Sequence, residues 1–212
     1  MSDNLGLIGV DHIHFYVGNA KQVAAFHTDR FGFKPVAYSG LETDSRNVAS
    51  HMVEQGRVRF VFSSSYGSDH EIVRHCAVHG DAVKDIALGV RDVDTVIRLV
   101  ADRGATVVES PYTLSDERGA LRRASIAYTG DLTFTFVDRS RYDPNHFAPS
   151  YKNVDQIGTR SGFPVGIRSV DHIVTNTHLG KMDPLVSWFE RVMGFENRQK
   201  FTIDDIATEY SA

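Results

Sequence analysis

The stretch "SVDHIVTN", Ser169 to Asn176, repeats in shortened form the "GVDHIHFYVGN" of Gly9 to Asn19, and that repetition decides how the chain is read. Around the first copy, residues alternate from Ile8 to Val17 with the period of a strand. Val10, His12, His14 and Tyr16 fall on one face and Ile13, Phe15 and Val17 on the other. Asn19 then caps a helix, Ala20 to Phe31, that turns Val23, Phe26, His27 and Phe31 inward and stops at Gly32. Around the second copy the order recurs. Arg168 to Asn176 alternates like the first strand, Asp183 with Pro184 at the first helical position opens a helix bearing Leu185, Trp188, Phe189 and Val192, and Gly194 closes it. The spacing is 160 residues from Asp11 to Asp171 and 162 from Gly32 to Gly194, so the match is an internal repeat at the level of strand, helix, Gly-Phe and next strand.

Between the two copies the pattern restarts once more. Strands are expected at Lys34 to Tyr38, Val48 to Glu54 and Arg57 to Ser63, the last two joined by the turn pair Gln55 and Gly56, which makes the first unit βαβββ. A helix around Glu71 to Val78 ends at Gly80. Then comes a strand at Val83 to Val90 and a helix capped by Asp92, with Val93, Val96, Ile97 and Val100 inward and its end at Gly104. Strands at Thr106 to Glu109, Arg122 to Tyr128 and Leu132 to Val137 complete a second βαβββ. From Tyr142 to Pro164 three prolines and two glycines interrupt any period, as in a linker. The expected organisation is an α+β chain: a complete N-terminal domain over 1–150, a linker over 151–165, and over 166–212 the first β-α-β part of a second domain.

Charge and composition exclude several classes of partner. A formal charge of −4 with no basic stripe argues against nucleic acid. No run of about 18 apolar residues exists to cross a membrane, and the N-terminus lacks a charged segment followed by an apolar one, so a cytosolic, membrane-free protein is expected. Cys76 is the sole cysteine, which rules out an internal disulfide and leaves histidine and carboxylate as the available metal ligands.

Histidines on a sheet's concave side can offer neutral imidazoles to a metal, and two of them with one carboxylate make the facial triad of non-heme Fe(II) oxygenases. "VDHIVTN", "LGKMDPLVSWFERVMGFENRQKFTIDDIATEYSA" and, earlier, "VGNAKQVAAFHTDRFGFKPVAYSG", "VRFVFSS", "VHGDAVKDIALGV" and "FVDRSRYD" together resemble the 4-hydroxyphenylpyruvate dioxygenase family of the vicinal oxygen chelate superfamily. The likeness runs over nearly the whole chain. It implies paired βαβββ modules whose strands curl into a mixed sheet, and iron bound by the second domain alone. By the same resemblance His172 is the first of three Fe(II) ligands, and the second histidine and the glutamate belong to later strands that do not occur before Ala212. The implied substrates are an aromatic α-keto acid, 4-hydroxyphenylpyruvate, and O2, giving homogentisate and CO2 in tyrosine catabolism, and the full-length protein is expected to be a homo-oligomer. The present chain by itself is expected to be inactive.

By period two, Val174 and Asn176 share the side of His172 and would line the cavity wall, or simply pack. In the first domain His12 takes the place matching His172, but Asp85 stands where a second histidine would be and Thr135 or Phe136 where the carboxylate would be, so His12 reads as a structural relic. In "DHEIVRHCAVHGD", His75 and His79 lie at i, i+4 as in helical zinc sites, yet the segment supplies neither further ligands nor the zincin glutamate. A plain surface helix is expected there, and nothing around Cys76 makes it a nucleophile. "SDERGALRR" reads as a solvated connection between strands. Two other readings compete: hydroxymandelate synthase, which shares the substrate and the iron site, and a non-catalytic vicinal oxygen chelate module for binding or dimerisation. Ile167, Ile173, Trp188, Phe189, Phe195 and Phe201 would lie uncovered without further strands.

Overall fold

The computed structural model describes residues 5–154 and 162–198. Among these residues nine strands form one mixed sheet. The first half runs β1 (Leu7–Tyr16), α1 (Ala20–Phe31), β2 (Lys34–Ser39), β3 (Val48–Gln55) and β4 (Val58–Ser65). After α2 (Glu71–His79) the second half repeats it with β5 (Ala82–Val90), α3 (Val93–Asp102), β6 (Val107–Asp116), β7 (Gly119–Ala127) and β8 (Thr133–Tyr142), and β9 (Lys152–Asn153) adds a short last strand. The order across the sheet is β6-β7-β8-β5-β1-β4-β3-β2-β9. Outward from the centre, β1-β4-β3-β2 mirrors β5-β8-β7-β6. The two halves join where β1 and β5 run antiparallel, while β1 with β4 and β5 with β8 are parallel.

The helices start and stop where local chemistry dictates. The Asn19 side chain accepts from the Gln22 N–H at 3.0 Å, and that of Asp92 from the Thr95 N–H at 3.1 Å, each satisfying a first-turn donor. Gly32 takes the left-handed conformation at φ 69° and donates its N–H back to the Thr28 carbonyl. Its Cβ-free side also admits the Phe163 carbonyl, which would lie 2.5 Å from any β-carbon placed there.

Strand alternation sorts the apolar residues onto the two faces of the sheet. Val53, Val58 and Phe62 meet Val17, Ala20 and Ala24 beneath α1, and Ile86, Leu88, Val90, Ile126, Phe134 and Phe136 meet the inner stripe of α3. Between them in sequence, Met52, Val61, Ala87 and Val137 face the other way, where Phe147 and Ala148 close over them. One expected facing is corrected. Val10 packs on the α3 side with Leu88, its partner in register, because an irregularity between Val10 and His12 inserts a residue and flips the alternation. β6 is also longer than expected, running through Pro111; a proline is tolerated there because β6 is the edge strand.

The chain after residue 150 departs further from expectation. Lys152–Asn153, assigned to the linker, pairs with β2 in the sheet. Arg168 to Asn176 forms no strand. A strand is held by neighbours to which it can hydrogen-bond, and none of the nine strands pairs with this stretch. Instead it runs extended across the first domain, tied by single bonds: the Arg57 N–H to the Arg168 carbonyl at 2.8 Å, the Ile167 N–H to Gln55 Oε1 at 2.8 Å, and Tyr128 Oη to Thr175 Oγ1. α4 (Met182–Trp188) continues into one π-helical turn, Phe189–Met193, and ends at Gly194 with φ 67°. That turn buries Val192 and Met193 against the α3 cluster, and Trp188 and Phe189 pack on Tyr128. Ile173 and Phe195 stay partly exposed, and Phe201 lies outside the described residues. No helix among the described residues is long and apolar enough to cross a membrane.

Candidate functional site

The repeated Asp-His pair makes the same local bond twice in opposite surroundings. In the second copy, His172 Nδ1 lies 2.8 Å from Asp171 Oδ2, which seats the ring proton on Nδ1 and leaves Nε2 as the free nitrogen. The side chain is 72% exposed. It stands at the wall of an apolar cavity of about 1220 Å³ between the extended segment and the sheet, lined also by Val10, Leu88, Tyr128, Phe134 and Phe189. Asn176 joins this wall, but so do Ile173 and Thr175, whereas Val174 does not. The expected alternation with His172 therefore fails, because without strand pairing nothing imposes period two.

In the first copy the pair is buried. His12 Nδ1 lies 2.7 Å from Asp11 Oδ1, and Arg139 reaches both oxygens of Asp11, Nε at 2.6 Å and Nη2 at 2.8 Å. Burial works to raise the Asp11 carboxyl, but the hydrogen bonds from His12 and Arg139 outweigh it and hold the group far below the ordinary carboxylate range. Phe147 caps this cluster, edge-on to the His12 ring at 5.2 Å and beneath the Arg139 guanidinium at 5.0 Å.

Along the same inner surface runs a chain of polar groups. His14 Nε2 meets Ser63 Oγ at 2.7 Å, Ser63 meets Ser50 at 2.6 Å, and Ser125 bridges Glu109 at 2.7 Å and Thr135 at 2.9 Å. Thr133 and Thr135 both donate to Asp85 Oδ1, at 2.6 and 2.7 Å. Burial raises the Asp85 carboxyl in spite of these two donors and depresses His14 to about 3. Asp85 Oδ2 and Arg123 Nε are buried without a partner among the described residues. Of the two residues read as standing at the carboxylate position, Thr135 faces inward and is bound to Asp85, whereas Phe136 belongs to the α3 core. His12, His14 and Asp85 each point a ligand atom at their own neighbour, and they do not converge. Sequence periodicity gave no sign of the serines and threonines, because inward polar residues alternate just as solvent-facing ones do.

One cluster missed from the sequence does converge. Asp131, in the turn before β8, lies 2.8 Å by Oδ2 from His75 Nδ1 and 3.5 Å by Oδ1 from His79 Nε2. It is the only group of three potential metal ligands among the described residues, and the surface helix expected there is therefore half of a cluster with β8.

The family model for the N-terminal domain of hydroxyphenylpyruvate dioxygenase matches residues 1–155. The chain belongs to this family. 4-Hydroxyphenylpyruvate dioxygenases from Yarrowia lipolytica, Dictyostelium discoideum and Danio rerio are 39, 40 and 41% identical to it over 96, 96 and 95% of its length. Matches of that breadth carry past the N-terminal domain and through His172. The chain spans about half the length of these relatives, 53, 56 and 51%. Among solved structures, a mutant 4-hydroxymandelate synthase from Streptomyces coelicolor matches at TM-score 0.74 and 21% identity, covering 88% of this chain and 52% of that one. Methylmalonyl-CoA epimerase from Mycobacterium tuberculosis matches at TM-score 0.53 and 15% identity, covering 65% of this chain and 91% of that one. The dioxygenase-family chain therefore has the vicinal oxygen chelate fold, whose paired βαβββ modules are the two mirrored halves of the sheet.

Proposed function

We propose that these 212 residues form the N-terminal half of an Fe(II)-dependent 4-hydroxyphenylpyruvate dioxygenase, which converts 4-hydroxyphenylpyruvate and O2 to homogentisate and CO2. The observation that carries this reading is the identity of about 40% to enzymes of that name, sustained across both the first domain and the "VDHIVTN" segment. In this reading residues 1–150 are a non-catalytic domain, 151–165 a linker, and 166–212 the opening of the catalytic domain, with His172 as one iron ligand. The protein is taken to be cytosolic and, at full length, a homo-oligomer.

The described residues do not make an iron site by themselves. No group of three histidine or acidic side chains that includes His172 comes together among them, and Asp171 is committed to the Nδ1 of His172. What His172 does supply is an exposed imidazole whose tautomer is set by its neighbour, a state suited to coordination through Nε2. The first domain contributes the apolar wall of Val10, Leu88, Tyr128 and Phe134 on which the following segment rests.

The test is to express the reading frame continued past Ala212 and assay it with 4-hydroxyphenylpyruvate, following oxygen uptake and identifying the product by chromatography. Homogentisate, lost on His172→Ala, is the expected result. Full turnover by the His172→Ala protein refutes the assignment of that residue, and 4-hydroxymandelate as product refutes the dioxygenase reading.

A further inference from the structure

We propose that His75, His79 and Asp131 form a binding site for a divalent transition-metal ion of the zinc type, separate from His172 and independent of its role. The two histidines sit one turn apart on α2 with ring centroids 4.7 Å apart, and Asp131 comes to them from the turn that opens β8. The three ligand atoms lie within 4.8 Å of one another. Zinc bonds of about 2.0 to 2.2 Å in tetrahedral geometry set ligand-to-ligand edges of roughly 3.4 Å, so small rotations of the exposed His79 and Asp131 side chains suffice to close the site.

The surroundings hold the ligands in place. His75 is buried, its ring edge-on to Tyr16 at 5.5 Å, and Tyr16 Oη donates to Glu71 Oε1 at 2.8 Å at the start of the same helix. The Lys84 ammonium donates to the Asp131 carbonyl and fixes the turn. His75 Nε2 is buried with no partner among the described residues. Loading an ion on Nδ1 replaces the hydrogen bond to Asp131 there and shifts the ring proton to Nε2, a cost that the metal bonds must exceed. His79 and Asp131 are each nearly half exposed, which leaves an entry path and room for a water molecule as fourth ligand. Two imidazoles and one carboxylate with an open position suit zinc, nickel or copper better than calcium or magnesium. Lys84 works against any cation, since its ammonium also lies 3.7 Å from Asp131 Oδ2.

The experiment is calorimetric titration of the metal-stripped 212-residue chain with Zn2+, with Co2+ absorption reporting the coordination geometry. One ion is expected to bind, with affinity reduced at least tenfold by His79→Ala, raised by Lys84→Met and unchanged by His172→Ala. His79 is exposed, so that variant retains its fold, which far-UV circular dichroism verifies. Absence of Zn2+ binding by the parent chain, equal binding by His79→Ala, or binding lost only with His172→Ala overturns the proposal and leaves the cluster as a hydrogen-bonded tie between α2 and β8.

Discussion

Acid should destabilise the first domain through His14, and the size of the effect follows from its surroundings. The ring lies against Tyr16 at 5.3 Å, its Nε2 is engaged by Ser63, and burial, followed by the nearby charges of His12 and Arg123, depresses it to about 3 from an ordinary 6.5. Above pH 6.5 the residue is neutral in both folded and unfolded chains and contributes no pH dependence. Below it the unfolded chain takes up a proton that the folded chain refuses, so stability falls with decreasing pH, by about 1.4 kcal/mol per unit, until the folded-state value is reached. At pH 5 the deficit is roughly 2 kcal/mol, a magnitude that needs only a folded value well below 5. His14→Gln offers Ser63 an amide and removes the titration. Urea unfolding of both chains, followed by far-UV circular dichroism at pH 7 and pH 5, should show the difference in unfolding free energy shifting by roughly 2 kcal/mol in favour of the variant at the lower pH. The same difference at both pH values refutes the reasoning.

Two further outcomes are expected. Arg139→Met strands the buried Asp11 carboxylate with only His12 beside it and should cost about 3 to 5 kcal/mol in the same unfolding measurement; a loss below about 1 kcal/mol means that Asp11 is solvated or that its pairing with Arg139 is unimportant. Gly32→Ala places a β-carbon at positive φ and against the Phe163 carbonyl, so it should destabilise by about 1 kcal/mol or more and speed proteolysis near residues 162–168, whereas unchanged cleavage there would show that this segment does not rest on α1.

The sequence by itself determined the two βαβββ modules, their helix caps and the family. Those features are written in local signals: Asn19 and Asp92 at helix starts, Gly32 at a helix end, period-two runs in β1 and β5, and two copies of the same phrase. Where residues act only on their immediate neighbours, sequence is enough, and the Asp-His hydrogen bond accordingly forms in both copies.

What the second copy does beyond that bond depended on partners from afar. The alternating residues of 168–176 satisfy the pattern of a strand but find no strand to pair with, so His172 is exposed while His12 is sealed beneath Phe147. An irregularity in one ladder moved Val10 to the opposite face, which no periodicity count could register. Tertiary structure alone brought Arg139 to Asp11 across 128 residues, and Asp131 to His75 across 56. Period and capping are properties of a few consecutive residues, whereas an ion pair or a metal-ligand cluster exists only after the sheet has closed and set distant turns side by side.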